Sequence, residues 1–162
     1  MKPKLIVLGV TGSGKSTIGE AIAGRLGVPF LDADDYHPPS NIEKMRGGTP
    51  LNDQDRQPWL QRLAQEMSQQ TEGCVLACSA LKSSYREVLS VVDAQFVFLK
   101  ASPALIQQRL AARKQHFMPA SLIDSQFEAL EEPQDAIVVD AGEEPTVIVE
   151  QVVKALDIGD DQ

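Results

Sequence analysis

The sequence predicts an α/β domain built on a parallel sheet with helices on both faces, and three observations carry that prediction. The first apolar segment, Lys4 to Gly9 (KLIVLG), is continuous rather than alternating, as a strand covered on both faces requires. Short apolar runs of this kind then alternate with stretches of helical periodicity along the chain, the pattern of consecutive strand-helix-strand units with right-handed crossovers. Finally, 162 residues at 43% hydrophobic and 23% charged fit one globular domain, spanning residues 1–162.

Each element follows in order. After Gly9, the residues Ile18, Ala21, Ile22 and Leu26 sit at helical spacing and Gly27 supplies a C-terminal stop, so residues 4 to 27 read strand, glycine turn, helix. Pro29-Phe30-Leu31 reads as a second short strand that ends in the acidic cluster Asp32, Asp34 and Asp35. From there to Asp55 the chain is polar and rich in proline and glycine, with one short helix about Asn41 to Arg46; this insertion, about residues 35–57, is expected to be mobile. Asp53 or Asp55 can cap a helix through about Gln70, with Leu60, Leu63, Ala64 and Met67 as its apolar stripe and Pro58 in its first turn. A third strand is expected over Cys74 to Ser79, a helix over Leu81 to Leu89, and a fourth strand over Gln95 to Leu99. Ser102-Pro103 provides a cap and first-turn proline for a helix to about Arg113. The pattern breaks at Gln115 to Pro119, and a helix resumes over Ser121 to Leu130. Ala136 to Val139 forms a fifth strand, and Pro145 to Leu156 closes as a helix before a frayed IGDDQ tail. In such sheets, ligands sit at the carboxyl ends of the strands.

Charge and cysteine usage exclude several classes of function. Fifteen basic against twenty-three acidic residues give a net charge of -8, which repels nucleic acid and anionic membrane surfaces, so neither is an expected partner. An anionic ligand must meet a local basic pocket. No apolar run approaches the ~20 residues of a membrane span, and Met1-Lys2-Pro3 leads straight into the first strand, so the expected location is cytoplasmic. Cys74 and Cys78 would lie roughly 13 Å apart on an extended strand, too far for a disulfide or a shared zinc, and buried thiols suit a reducing compartment.

The chemistry is carried by Gly9-Val10-Thr11-Gly12-Ser13-Gly14-Lys15-Ser16, which matches GxxxxGK[ST] and lies between a predicted strand and a predicted helix, as a phosphate-binding P-loop requires. The glycines let successive backbone N–H groups and the helix N-terminus converge on a phosphate. The nucleotide cradle therefore comprises Gly9, Thr11, Gly12, Ser13, Gly14, Lys15, Ser16 and Thr17. Lys15 supplies a charge that can follow the β- and γ-phosphates of ATP, and the Ser16 hydroxyl is a hard ligand for Mg2+. A GTPase switch should carry Asp-x-x-Gly and Asn-Lys-x-Asp, and neither string occurs; the chain is too short for a motor ATPase. A small-molecule kinase remains. It needs a carboxylate to orient or deprotonate the acceptor hydroxyl and basic residues around the phosphates.

Asp32 and Asp34 end the second strand beside the P-loop, and period-two alternation puts both on one side if the strand persists. One can hold magnesium through water while the other meets the acceptor; simple turn formation is the alternative. Arg56, in the first turn of a helix, opposes the helix dipole and so favours an anionic partner, and Arg86 is a second candidate for the same pocket. Arg109 and Arg113 share a helix face just before the break, which suits a lid over about residues 109–121 that excludes water. His37 and His116 can each hydrogen-bond a substrate hydroxyl, whereas Trp59 reads as core packing.

Beyond these local readings, LDADDYHPPSNIEKMRGGTPLNDQDRQPWL (residues 31–60), ACSALKSSYREVL (77–89) and HFMPASLIDSQFEALEEP (116–133), together with GVTGSGKST (9–17), resemble the signatures of the gluconate kinase family. The resemblance runs in order over nearly the whole chain. It implies the P-loop NTPase fold of shikimate and nucleoside-monophosphate kinases, with a five-stranded sheet ordered 2-3-1-4-5. It implies transfer of the ATP γ-phosphoryl to the terminal hydroxyl of D-gluconate by a homodimer. It also makes Asp32 an indirect magnesium holder, Asp34 the base or hydroxyl orienter, and Arg56 the partner of the substrate carboxylate with Arg86 and His37 nearby; the lid and P-loop readings make Arg113 and Lys15 the catalytic cations. One departure from the general P-loop pattern stands out: Ala77-Cys78-Ser79 ends the third strand without the usual aspartate, leaving Ser79 or water held by Asp32 to complete magnesium binding. The nearest rivals are a kinase of shikimate or of a nucleoside monophosphate and, from another class, a nucleotide-responsive binding protein.

Overall fold

The computed structural model describes residues 3–10, 12–49, 51–90, 94–112, 120–134 and 136–160. Its strands are β1 (Lys4–Leu8), β2 (Phe30–Asp32), β3 (Cys74–Ala77), β4 (Gln95–Lys100) and β5 (Ala136–Asp140). Between them run α1 (Lys15–Leu26), α2 (Pro39–Arg46), α3 (Asp53–Ser68), α4 (Ser83–Leu89), α5 (Pro103–Ala112) and α6 (Ala120–Ala129), with α7 (Pro145–Asp160) last. All pairings are parallel, and the sheet order is β2-β3-β1-β4-β5, the order that the family resemblance implies.

The continuous apolar sequence of β1 is explained by its central place in the sheet. Leu5 and Val7 face one layer with Ile18 and Ile22 of α1 and Ile148 and Val152 of α7, while Ile6 and Leu8 face the other with Leu60, Leu63 and Met67 of α3. Residues 5 to 8 have no exposed surface, and burying each such side chain contributes about 1.5–3 kcal/mol. A smaller cluster of Val10, Leu81, Ile106 and Ile123 seats α5 and α6 beside the P-loop.

Several boundaries differ from expectation for local reasons. Asn52, rather than Asp53 or Asp55, caps α3: its side chain accepts from the Asp55 N–H at 2.8 Å while the Asp55 carboxylate accepts from the Asn52 N–H at 2.9 Å. Pro58 is consequently the sixth residue of α3 and lies past the first turn. β2 stops at Asp32 and continues as a 3-10 turn over Ala33–Tyr36, which the sequence reading missed. At the other end α7 extends to Asp160, into the segment expected to fray. Gly27 closes α1 in the left-handed conformation and the Ser102 hydroxyl accepts from Leu105 N–H at the start of α5, both as expected. Among the described residues, no helix is long and apolar enough to cross a membrane.

Candidate active site

The P-loop leaves β1 at the carboxyl edge of the sheet and enters α1. Gly12 and Gly14 adopt φ of +87° and +99°, where an L side chain would be strained. Gly9 is required for another reason: a Cβ there would lie 2.7 Å from Ser13 Oγ and 3.0 Å from the Leu99 carbonyl oxygen. Lys15 Nζ donates to the Val10 carbonyl at 3.2 Å, folding the ammonium back over the loop. Burial lowers the Lys15 pKa from its ordinary value, and the Asp34 carboxylate pulls the other way.

Arg109 reaches the same loop from behind. Its guanidinium donates to the Ser13 carbonyl at 3.0 Å, to the Gly12 carbonyl at 3.4 Å and to the Ala141 carbonyl. Expected as a lid cation, it thus ties α5 and the segment after β5 to the phosphate cradle. Thr11, Arg113 and His116 lie outside the described residues.

Asp32 and Asp34 share the cleft, although not by strand alternation. The Asp32 carboxylate caps the 3-10 turn by accepting from Asp34 N–H at 3.0 Å, and its other oxygen accepts from the Ser16 hydroxyl at 3.1 Å. Two hard oxygen donors side by side under the P-loop fit magnesium, which takes one or two protein ligands and completes its shell with phosphate and water. Among the described residues, no group of three or more His, Cys, Asp or Glu side chains could hold a metal without them. Ser79 lines the same cleft. Burial pushes the neighbouring Cys78 thiol up to about 12, so it stays protonated.

His37 is fixed from both sides. Its ring stacks on Trp59 at 4.3 Å with an interplanar angle of 12°, and Asn41 Nδ2 lies 3.3 Å from its Nδ1. The same Asn41 nitrogen donates to the Asp55 carbonyl at 2.9 Å, so it is the amide NH2 and His37 Nδ1 is an acceptor. The imidazole proton therefore sits on Nε2, 4.0 Å from Asp34 Oδ1. Burial lowers the His37 pKa, countered by Asp34, and the ring is neutral near pH 7. Trp59 is buried as expected, its Nε1 donating to the Ala33 carbonyl at 2.7 Å, and it also lines the cleft.

Arg56 lines the cleft from the fourth residue of α3, where Asp53 and Asp55 in the same turn offset its conflict with the helix dipole. Its Nη1 donates to the Tyr85 hydroxyl at 3.0 Å. Lys82 and Tyr85 line the cleft beside it and were not singled out from the sequence. Their only signal was position, one helical turn apart at the start of α4. Ser125 and Gln126 of α6 also reach the cleft and were likewise missed.

Arg86, expected near the substrate carboxylate, points elsewhere. Its buried guanidinium donates to the carbonyls of Ala80 (2.9 Å), Leu81 (3.0 Å) and Glu131 (2.6 Å), and it is absent from the cleft lining. It fastens the loop before α4 to the segment after α6, a join reinforced by Glu131 Oε1 accepting from Ser83 N–H at 2.9 Å. Truncation would strip the guanidinium from the Ala80 and Glu131 carbonyls, while the Leu81 carbonyl keeps the Glu131 N–H at 2.8 Å, so Arg86→Ala is expected to cost about 3 kcal/mol of stability, read as the denaturation midpoint. A raised KM for the acceptor at an unchanged midpoint would return Arg86 to the binding site.

The cleft so bounded has a volume of about 950 Å³, near the top of the usual range for ligand sites and large enough for a nucleotide phosphate chain together with a small acceptor. The sequence matches the shikimate kinase family model over residues 11–157. It is 44% identical to the gluconokinase of Gluconobacter oxydans over 95% of this chain and 92% of that one. The structure is similar to that of a gluconokinase from Sinorhizobium meliloti, with a TM-score of 0.88 and 42% identity over 96% of this chain and 92% of that one. Similarity to the shikimate kinase of Aquifex aeolicus, at 18% identity over 96% of this chain and 97% of that one and a TM-score of 0.63, speaks to the fold alone. With a P-loop, a paired aspartate turn and a basic wall on this topology, and with such relatives spanning its length, the chain belongs to the gluconokinase family of shikimate kinase-like enzymes.

Proposed function

We propose that this chain phosphorylates D-gluconate at its terminal (carbon 6) hydroxyl, using ATP, to give 6-phospho-D-gluconate and ADP. The observation that carries the proposal is that Lys15, Asp34 and Arg56 line one cleft: a phosphate cation, a carboxylate for the hydroxyl and a cation for a substrate carboxylate. The P-loop backbone and Lys15 hold the phosphates of ATP. Arg56 receives the gluconate carboxylate, which sets the far end of the linear substrate toward Asp34, and His37 Nε2–H offers a donor to that carboxylate or to a nearby hydroxyl. The hydroxyl oxygen then attacks the γ-phosphorus in line, the bond to the β,γ-bridging oxygen breaks, and the hydroxyl proton passes to Asp34. When bound, magnesium supplies positive charge to the β- and γ-phosphates; Ser16 would hold it, with Asp32 acting through water and Ser79 beside them. The lid role of Arg113, neutralising the transferring phosphoryl, and the substrate contact of His116 rest on the sequence of residues 109–121, and the pairing of Arg56 with the substrate carboxylate rests also on the family resemblance. So does a homodimer, while a cytoplasmic setting also suits the two buried free thiols, Cys74 and Cys78.

A coupled assay with 6-phosphogluconate dehydrogenase tests the activity, with shikimate, glucose and AMP run in parallel by ADP release. Gluconate-dependent product is the expected result. Turnover only on another acceptor would keep the kinase and discard the substrate, and silence on all would favour a nucleotide-responsive binding protein. Arg56→Ala is expected to lower kcat/KM for gluconate roughly tenfold to a hundredfold, as hydrogen bonds to charged groups are worth about 1.5–3 kcal/mol. Any slow turnover of uncharged glucose should be spared; an equal loss there would remove the carboxylate role.

A further inference from the structure

Arg56, Tyr85 and Lys82 at one wall of the cleft, with Asp53 joining them, form a single directed chain of hydrogen bonds. Arg56 Nη1 donates to the Tyr85 hydroxyl at 3.0 Å, the Tyr85 hydroxyl donates to Asp53 Oδ1, and Lys82 Nζ donates to both Asp53 oxygens at 3.0 and 3.3 Å. The directions are forced. A guanidinium has no acceptor, so Tyr85 must present a lone pair to Arg56; its one proton must then go to another acceptor, and Asp53 is that acceptor. The ammonium of Lys82 keeps Asp53 ionised and in place, and both neighbours hold the Asp53 carboxyl below its ordinary pKa. Both cations also face the Tyr85 ring, Arg56 Cζ at 5.5 Å and Lys82 Nζ at 5.6 Å from its centroid. Tyr85 is itself buried, so its hydroxyl is a fixed post and not a mobile one.

The bond to Tyr85 uses one of the five N–H donors of Arg56 and fixes the plane of the remaining fork, whose side chain lines the cleft. We propose that Tyr85, with Asp53 and Lys82 behind it, is a positioning residue that sets the Arg56 guanidinium for bidentate capture of the substrate carboxylate. A flexible arginine in a cleft would otherwise lose side-chain entropy on binding; here that ordering is met in advance by the fold. The inference rests on the gluconate reading of the site and deepens it, because it makes carboxylate selection a property of four residues on α3 and α4 rather than of Arg56 alone.

Steady-state kinetics of Tyr85→Phe, which keeps the ring and removes the post, provides the test. KM for gluconate is expected to rise about tenfold, while kcat and KM for ATP stay within about twofold. Asp53→Asn, an exposed change at the start of α3, should act in the same direction, because a neutral amide oxygen holds the Tyr85 proton and the Lys82 ammonium less firmly than the carboxylate does. The decisive comparison is a double-mutant cycle. If Tyr85 works through Arg56, adding Tyr85→Phe to Arg56→Ala should change KM for gluconate less than about twofold. Unchanged kinetics in Tyr85→Phe, or a penalty that persists in full in the Arg56→Ala background, would overturn the positioning role. Both outcomes presuppose gluconate turnover by the unmodified chain; its absence would be seen first, and would overturn the substrate reading and this inference together.

Discussion

Asp34→Asn is expected to abolish most phosphoryl transfer while leaving ATP binding intact. The carboxylate projects into the cleft from the 3-10 turn, with its side chain 88% exposed, and the turn is held by its backbone N–H bonding to Asp32. An amide of the same shape keeps that backbone bond and removes the proton acceptor. Loss of a positioned general base costs about 10²–10⁴-fold, so kcat should fall by that factor, with KM for ATP within a few-fold of the unmodified chain. Single-turnover measurement of 6-phosphogluconate separates this from slow product release. Turnover at the unmodified rate in Asp34→Asn would remove the residue from the mechanism and leave hydroxyl orientation to Arg56 and His37.

Lys15→Ala should be more damaging to catalysis than to structure. The Lys15 Nζ donates to the Val10 carbonyl at 3.2 Å, and burial already disfavours its charge there. Moving onto the phosphates exchanges that neutral partner for anionic oxygens, so its interaction strengthens as charge develops on the transferring group. A loss of about 10²–10³-fold in kcat is expected at near-normal thermal stability, checked by parallel turnover and melting measurements. A folded Lys15→Ala protein with ordinary kcat would mean that the backbone cradle alone stabilises the transferring phosphoryl.

Much of this was legible in the sequence because it is carried by local rules. The apolar runs, Gly27, Ser102-Pro103 and the P-loop each announce a backbone geometry, and the elements they mark are where the structure has them. The departures arise where a choice among neighbouring polar residues is settled by tertiary contacts. Asn52 and Asp55 are both competent caps, and the reciprocal pair they form decides between them. Arg86 and Arg56 look alike as cations near helix starts; what separates them is that one finds three carbonyls in a loop junction and the other a tyrosine hydroxyl facing the cleft. Lys82 and Tyr85 were invisible for the same reason, since their partner Asp53 lies about thirty residues away in sequence and meets them only when α3 packs on α4.

The stacked pair of Trp59 and His37 also has an optical consequence. Trp59 is the sole tryptophan of the chain, its indole lies against an imidazole at 4.3 Å, and both rings border the cleft. All tryptophan emission from this protein therefore originates at one spot beside Asp34 and Arg56. Arrival of a polar acceptor, or a shift in the ring that lies over the indole, alters the surroundings of that lone fluorophore, so the protein carries its own spectroscopic reporter of occupancy, with no label to attach.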